Sequence, residues 1–344
     1  MMSTSRPAAN PEPCSLCGGL EFRTVLYARD FDTGGTEFSL AACENCELVR
    51  TEPAMDETRL NVWYDRSYYG QGARKFLGWG ESWVRFLARH RAKRILSALP
   101  TQPGGRTRIL DIGCGRGQLL GGFRDLGADC FGIERQEFPD VEEPGITLYR
   151  GDVGSTPLAP ASIDVVILWH TLEHLESPAQ TVAYARRFLK PGGTLVISVP
   201  NFSSWQRRLF GSRWFHLDLP RHRHHFGMAT LRRLVESEGF VLIRHSTFSL
   251  EQNLYGFVQS LSNAMMPRAS TNRLYQLLKG SGLSLNPLER AMYLLSGLLL
   301  VPLGAVELVL SHLAGRGAAI TLVARRDDRG CGSELVSDEQ ERLS

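Results

Sequence analysis

Charge of one sign is what this chain most lacks: 39 lysines and arginines stand against 36 aspartates and glutamates, a formal net charge of +3. So even a balance builds no basic field for a phosphate backbone, and no nucleic-acid partner is expected. The amino terminus lacks an apolar core, because Met1 to Pro13 is polar and proline-rich, so no secretory leader is expected. Uncharged runs are short as well. Ala291 to Val306 holds 16 uncharged residues, interrupted by Pro302 and stopped by Glu307, fewer than the ~20 a spanning helix needs. Cysteine is sparse, seven in 344 residues, too few to staple a chain of this length throughout. A reducing, cytoplasmic setting is the expectation.

What is present is an ordinary globular composition, 43% hydrophobic and 22% charged, in a chain long enough for one main domain with appendages. Four of the cysteines fall in two knuckles, Cys14-x-x-Cys17 and Cys43-x-x-Cys46, separated by a β-rich stretch with strands expected at Phe22 to Tyr27 and Phe38 to Ala42. Each knuckle offers two sulfurs from one turn, which suits tetrahedral Zn2+ with no open position, so the metal is expected to be structural. Residues 13–55 have too little core of their own, so the metal would supply much of their folding free energy. Disulfides are the competing reading. Cys114, Cys130 and Cys331 are scattered.

The stretch Arg108-Ile109-Leu110-Asp111-Ile112-Gly113-Cys114-Gly115-Arg116-Gly117-Gln118 reads as an apolar strand, an acid, three glycines in five positions and a helix start. Glycines let a ligand lie against backbone at the carboxyl edge of a sheet. The spacing is G-x-G-x-G rather than the dinucleotide G-x-G-x-x-G, and Asp111 would repel a pyrophosphate. An acid there suits an amino group or a sulfonium. The stretch resembles the first motif of the class I S-adenosylmethionine-dependent methyltransferases, of the ubiquinone- and sugar-methyltransferase kind. The resemblance implies an α/β, Rossmann-like seven-stranded sheet whose last strand is inserted antiparallel, with S-adenosylmethionine as the cofactor.

The rest of the chain fits that outline. Strands are expected at Arg108 to Ile112, Cys130 to Ile133, Thr147 to Tyr149, Val165 to Trp169, Thr194 to Val199, Phe240 to Phe248 and Ala318 to Arg325. Helices are expected at about Trp79 to Leu99, Gly117 to Leu126, Pro178 to Leu189 and Thr230 to Glu238, with Ser177 as N-cap of the third. The expected divisions are a disordered 1–12, the zinc-ribbon module 13–55, an aromatic segment with a cofactor-covering helix 56–105, the core 106–248, a hydrophobic helical insertion 249–317, the last strand 318–326 and a disordered tail 327–344. Pro100 to Gly105 is a breaker-rich linker. Tyr64, Tyr68 and Tyr69 form a Y-x-x-x-Y-Y-G patch that, with a zinc ribbon ahead of it, resembles bacterial enzymes acting on sugars or other small biosynthetic intermediates; inter-domain packing is the plainer reading.

Cofactor contacts are expected from Asp111, Gly113, Cys114, Gly115 and Gly117, with Glu134 on the ribose hydroxyls, Asp152 on the adenine amino group, Val153 on the ring, and Trp169 at the same edge. Asp152 also simply suits a turn. After the fourth core strand, His170-Thr171-Leu172-Glu173-His174 resembles the L-E-H segment of the family. If it is helical, His170 and His174 share one face. A general base is one expected role, a divalent metal site with Glu173 a second, and loop scaffolding the plain alternative. The run Pro220-Arg221-His222-Arg223-His224-His225-Phe226 resembles the loop that roofs the acceptor pocket, with His222 and His225 as the matching positions and Arg223 and His224 read as solvated. The expected activity is O-methylation of a small, sugar-linked or lipid-linked acceptor. C- or N-methylation and a non-catalytic zinc-ribbon adaptor are the alternatives. The insertion is expected to pack on the core, to form a homodimer, or to touch a membrane surface peripherally.

Overall fold

The computed structural model describes residues 12–30, 35–55, 57–60, 63, 78–97, 99, 105–135, 144–265, 272–279 and 286–327. Tyr64, Tyr68, Tyr69, Met266, Pro267, Cys331, most of the linker before Gly105 and nearly all of both ends expected to be disordered lie outside them. Among the described residues the strands are β1 (Phe22–Arg29), β2 (Glu37–Cys43), β3 (Val49–Glu52), β4 (Arg108–Ile112), β5 (Asp129–Glu134), β6 (Ile146–Arg150), β7 (Ile163–Trp169), β8 (Leu189–Pro200), β9 (His224–His225), β10 (Phe240–Ser246) and β11 (Ala319–Arg326).

Seven of them form one sheet in the order β10-β11-β8-β7-β4-β5-β6. Strands β4 to β8 are parallel, and β11 is antiparallel to both β8 and β10, which is the inserted last strand the resemblance implies. The central β7, Ile-Asp-Val-Val-Ile-Leu-Trp, is buried over its first six residues because helices cover both faces. Alternate residues feed two cores. Ile109, Val165 and Ile167 meet Ala92, Leu120 and Phe123 on one face; Leu110, Val166 and Leu168 meet Val182, Ala185 and Leu234 on the other. Buried Asp164, at the amino end of β7, accepts from Lys190 Nζ at 2.6 Å and from the Arg108 N–H at 2.8 Å, so its charge is paired.

The helices are α1 (Glu57–Leu60), α2 (Gly78–Leu96), α3 (Gln118–Arg124), α4 (Pro178–Phe188), α5 (Trp205–Phe210), α6 (Met228–Ser237), α7 (Gly256–Met265), α8 (Arg273–Lys279) and α9 (Pro287–Leu313). Ser177 does occupy the N-cap of α4, but its side chain accepts no hydrogen bond from the helix. The uncharged run ends at Glu307 but the helix does not: α9 continues through Pro302 and Glu307, 27 residues in all.

The second sheet shows where the cysteine module finds the core that residues 13–55 lack. Its order is β1-β2-β3-β9, so the two-residue strand His224–His225 from the far side of the chain pairs with Val49 and Arg50. Cys14, Cys43, Cys46 and Leu48 share a core with Leu172, Phe226 and Leu231, while Phe38, Leu40 and Val49 pack with Trp214, Leu217 and Phe257. The module therefore shares core with the larger sheet's helices and loops on both sides, so a metal need not supply all of its folding free energy.

Candidate active site

The carboxyl ends of β4, β5 and β7 meet at one edge, and the glycine loop lies across it. Gly113, Gly115 and Gly117 have φ of +74°, +54° and +70°. At Gly113 no other residue fits, since a Cβ would stand 2.3 Å from Thr171 Cγ2. The loop is pinned from behind, where the Gly113 and Cys114 N–H groups donate to the Ile133 carbonyl at 2.8 and 3.2 Å. Glu134, ending β5, accepts from the Gly115 N–H at 2.6 Å and from the Arg135 N–H at 3.0 Å. Cys114 is buried, and burial followed by the charge of Asp111 pushes its thiol well up, so it is inert packing.

Asp111 is the informative residue. It is 3% exposed, and its Oδ1 is buried with no hydrogen-bond partner. Burial, then the neighbouring Glu134, drives its pKa well above the usual carboxylate range, with Arg91 opposing. A buried acid left this way is relieved by a ligand that donates hydrogen bonds or carries positive charge. Arg91, on α2, lies over the Trp169 ring at 4.2 Å and pairs with Glu251, roofing the same edge; nothing local in its helix marks it. Asp152 caps its own turn by accepting from the Gly154 N–H at 2.6 Å, with Val153 half-buried beside it.

Two residues past Trp169 the chain turns into the second half of the site. His170 has φ +53°, and only Leu172–His174 form a single 3-10 turn, so His170 and His174 do not share a helical face. His170 instead donates Nδ1–H to Glu173 Oε1 at 3.3 Å. Glu173 is fully buried. Burial raises its pKa, but the His170 hydrogen bond and the His174 and His222 imidazoles outweigh it and hold it below the usual value. Its Oε2 has no hydrogen-bond partner.

The histidine loop closes over this turn. The Arg223 N–H donates to the Glu173 carbonyl at 2.8 Å, and the His174 Nδ1–H donates to the Arg221 carbonyl at 3.0 Å. His222 donates Nδ1–H to the His216 carbonyl at 3.0 Å, which leaves its lone pair on Nε2. The rings of His174 and His222 stand 4.6 Å apart, and ligand-type atoms of Glu173, His174 and His222 all lie within 4.8 Å of one another. Burial, then the charge of His222, takes the His174 pKa down to about 4. Asp218 completes the group, with Oδ2 at 3.6 Å from His222 Nε2 and a forked pair to Arg221. Burial would raise Asp218, yet Arg221 and His222 hold it well below the usual range. Its signal was available in the sequence, as the acid four positions before His222.

The other two histidines are fixed by the cysteine module. His225 donates Nε2–H to Thr51 Oγ1 at 3.0 Å, because that hydroxyl already donates to the His222 carbonyl at 2.6 Å. His224 is not solvated: it is 7% exposed, donates Nδ1–H to the Leu175 carbonyl at 3.1 Å and accepts from Ser15 Oγ at 2.9 Å. Arg223 pairs with Glu176 at 3.3 Å. Below this junction the four thiols of Cys14, Cys17, Cys43 and Cys46 are gathered within 4.8 Å, with Cys14–Cys46 at 3.5 Å and Cys17–Cys43 at 3.6 Å. Tetrahedral sulfurs about 2.3 Å from a zinc ion would stand about 3.8 Å apart, so donor set and spacing fit Zn2+.

The chain matches the methyltransferase domain family over residues 83–245. A ubiquinone biosynthesis O-methyltransferase of Methylococcus capsulatus is 33% identical over 137 residues, 37% of this chain and 57% of that protein. One of the same name from Paraburkholderia xenovorans is 30% identical over 176 residues, 44% of this chain and 75% of that protein. For the first three curated relatives the match spans only 34%, 57% and 51% of their length. The crystal structure of a SAM-dependent methyltransferase from Archaeoglobus fulgidus aligns with a TM-score of 0.45 at 18% identity, over 77% of this chain and 99% of that one.

Proposed function

The chain belongs to the S-adenosylmethionine-dependent methyltransferases, and from that premise we propose that it methylates a hydroxyl of a small-molecule acceptor, sugar-linked or lipid-linked, with His222 as the proton acceptor. The observation that carries this reading is the convergence of Glu173, His174, His222 and Asp218 on a turn that begins beside Thr171, whose side chain packs on Gly113 of the glycine loop. S-adenosylmethionine, when bound, supplies an electrophilic methyl group on a sulfonium. Asp111 and the loop glycines would hold it, the orphaned Asp111 Oδ1 meeting a donor or the positive charge, and Glu134 the ribose hydroxyls. Glu134→Ala should lower cofactor affinity at least tenfold by calorimetry, about 1.4 kcal/mol or more; unchanged binding removes the ribose assignment.

His222 takes the proton in this reading because its Nδ1–H is tied to the His216 carbonyl, which turns Nε2 to the acceptor side with Asp218 Oδ2 at 3.6 Å, whereas the Nδ1–H of His174 is tied to the Arg221 carbonyl and burial holds that imidazole neutral, near pKa 4. Glu173 then orients rather than reacts, tied to His170 and buried. Water is excluded by the histidine loop above and the zinc module behind it. Cys14, Cys17, Cys43 and Cys46 hold Zn2+ structurally, fixing β3 and through it His224 and His225. The O-methyltransferase names of the curated relatives support an oxygen acceptor.

A second reading rests on the 4.8 Å spacing itself: Glu173, His174 and His222 hold a divalent cation that binds the acceptor oxygen. Turnover of labelled cofactor against sugar nucleotides, glycolipids and phenols, with His222→Ala and His174→Ala alongside, separates the two. A base at His222 gives turnover indifferent to brief chelation and a rate lower by about 10²–10⁴ in His222→Ala with cofactor affinity kept. Loss on chelation that Mg2+ or Mn2+ restores favours the cation. Normal turnover by both variants makes these histidines scaffold.

A further inference from the structure

The insertion between β10 and β11 exposes one face of a long helix. Helix α9, about 40 Å long at 1.5 Å per residue, exposes twelve large apolar side chains, among them Leu298 at 69%, Leu299 at 67% and Leu313 at 77%. At 100° per residue these fall in one arc of about 200°, from Val301 round to Leu303, that contains no acid, lysine or arginine. Together they expose on the order of 1,000 Å², where the largest apolar patch on an ordinary monomer is about 300–600 Å².

We propose that α9 lies in the plane of a lipid bilayer and docks the protein monotopically, its apolar arc sunk in the hydrocarbon of one leaflet. Three observations choose lipid over a second copy of the chain. The arc is about twice as wide as the stripe a partner helix covers, so pairing would leave half of it in water. Its chemistry is leucine, valine and methionine with no tryptophan, tyrosine or arginine to anchor a protein partner. The small residues face inward: a Cβ at Gly304 would stand 2.8 Å from Leu254 Cδ1, and one at Gly297 3.3 Å from Leu274. Glycines toward protein and large aliphatics outward is the arrangement of a helix that packs in lipid.

The helix lies along the membrane and does not cross it, because protein covers its inner stripe from end to end. Tyr293 packs with Val258 and Leu274 near the start; Glu307 accepts from Gln206 at 2.8 Å, and Ser311 bonds Asn253 at 3.4 Å near the finish. Strand β11 then pairs with β10 only six residues beyond α9, which returns the chain to the sheet it left. A passage through the bilayer would pull Gln206 and Asn253 into hydrocarbon with it. Exposed Arg290 and half-buried Arg316 flank the two ends, placed for anionic headgroups.

The test is flotation of the full chain with phosphatidylcholine vesicles containing phosphatidylglycerol, beside the triple variant L298E/L299E/V306E, with light scattering for oligomeric state and calorimetry for S-adenosylmethionine as the check of folding. The wild-type chain should float with vesicles, and the variant's vesicle-bound fraction should fall about a hundredfold while its cofactor affinity is unchanged. A wild-type chain that stays with the soluble fraction overturns the proposal, whether it is a dimer that the variant dissolves or a monomer. Equal flotation of both chains overturns the role of α9.

Discussion

The two halves of the site are built in opposite ways. The cofactor edge is local: Asp111, the three glycines and Glu134 fall within 24 consecutive residues on two adjacent parallel strands, and the bonds that pin the glycine loop from behind, to the Ile133 carbonyl and the Glu134 carboxylate, come from the same stretch. The histidine edge is assembled from four distant segments, the cysteine module, the turn after β7, the loop from His216 to His225 and the helical segment Leu250–Tyr255 that holds Gln252, stitched by backbone carbonyls. Local construction survives damage elsewhere, whereas an assembled site fails when any one contributor leaves. The sharpest test is Cys43→Ser, which disables the thiol cluster. Cofactor affinity should change by no more than about threefold while turnover falls by about a hundredfold or more, since β3 no longer holds β9. Parallel loss of both would show that the halves fold as one unit.

The same contrast sets opposite pH responses. His174, His216 and His224 are buried as neutral imidazoles with pKa values near 4, burial being the first cause in each. Their unfolded value is near 6.5, so between those limits the unfolded chain binds more protons and stability falls as pH falls, by at most about 3 kcal/mol per residue. Asp111 runs the other way. Its raised pKa means that the folded chain holds the proton longer, so its contribution is present at low pH and is lost as pH rises through the folded value. Chemical denaturation from pH 4 to 8 should therefore show wild-type stability dropping below pH 6.5, with hydrogen exchange opening first at residues 216–225. Asp111→Asn should be more stable than the wild type at neutral pH, by about 1–3 kcal/mol, and should bind the cofactor poorly. An Asp111→Asn protein less stable than its parent would mean that the aspartate is already satisfied.

What the sequence disclosed divides along the same line. The glycine loop and the mainly parallel sheet were legible because they rest on residues near one another and on the alternation of strand and helix, whereas the antiparallel last strand followed only from the family resemblance. The pairing of β9 with β3 was not legible, since two residues carry no periodicity and their partners lie 174 and 176 positions upstream. His224 was misread as solvated for that reason: a charged-looking loop sequence gives no hint that Ser15 and the Leu175 carbonyl enclose it. Thr51 had no signal at all, a threonine in a short strand. Pro302 misled in the other direction. Its missing N–H ordinarily ends a helix, but α9 is held on its inner face by Gly304 and Leu308 packed into the protein, and tertiary contact outweighs the lost hydrogen bond.

Thr51 gives the finest test of an assembled edge, because it touches the reacting group only through backbone. Its hydroxyl donates to the His222 carbonyl and accepts from His225, and its own N–H donates to the Arg223 carbonyl at 3.0 Å. Thr51→Val keeps shape and β propensity and removes only the hydroxyl, leaving a buried carbonyl and a buried imidazole N–H short of one partner each. That should cost about 1–3 kcal/mol of stability, and it should lower kcat by about threefold to tenfold as His222 loses its fixed position, with KM for the cofactor unchanged. Thr51→Ser, which restores the hydroxyl, should restore the rate. A valine variant that is less stable but equally fast would confine Thr51 to holding the module in place, and His222 would then be positioned by Asp218 and the His216 carbonyl alone.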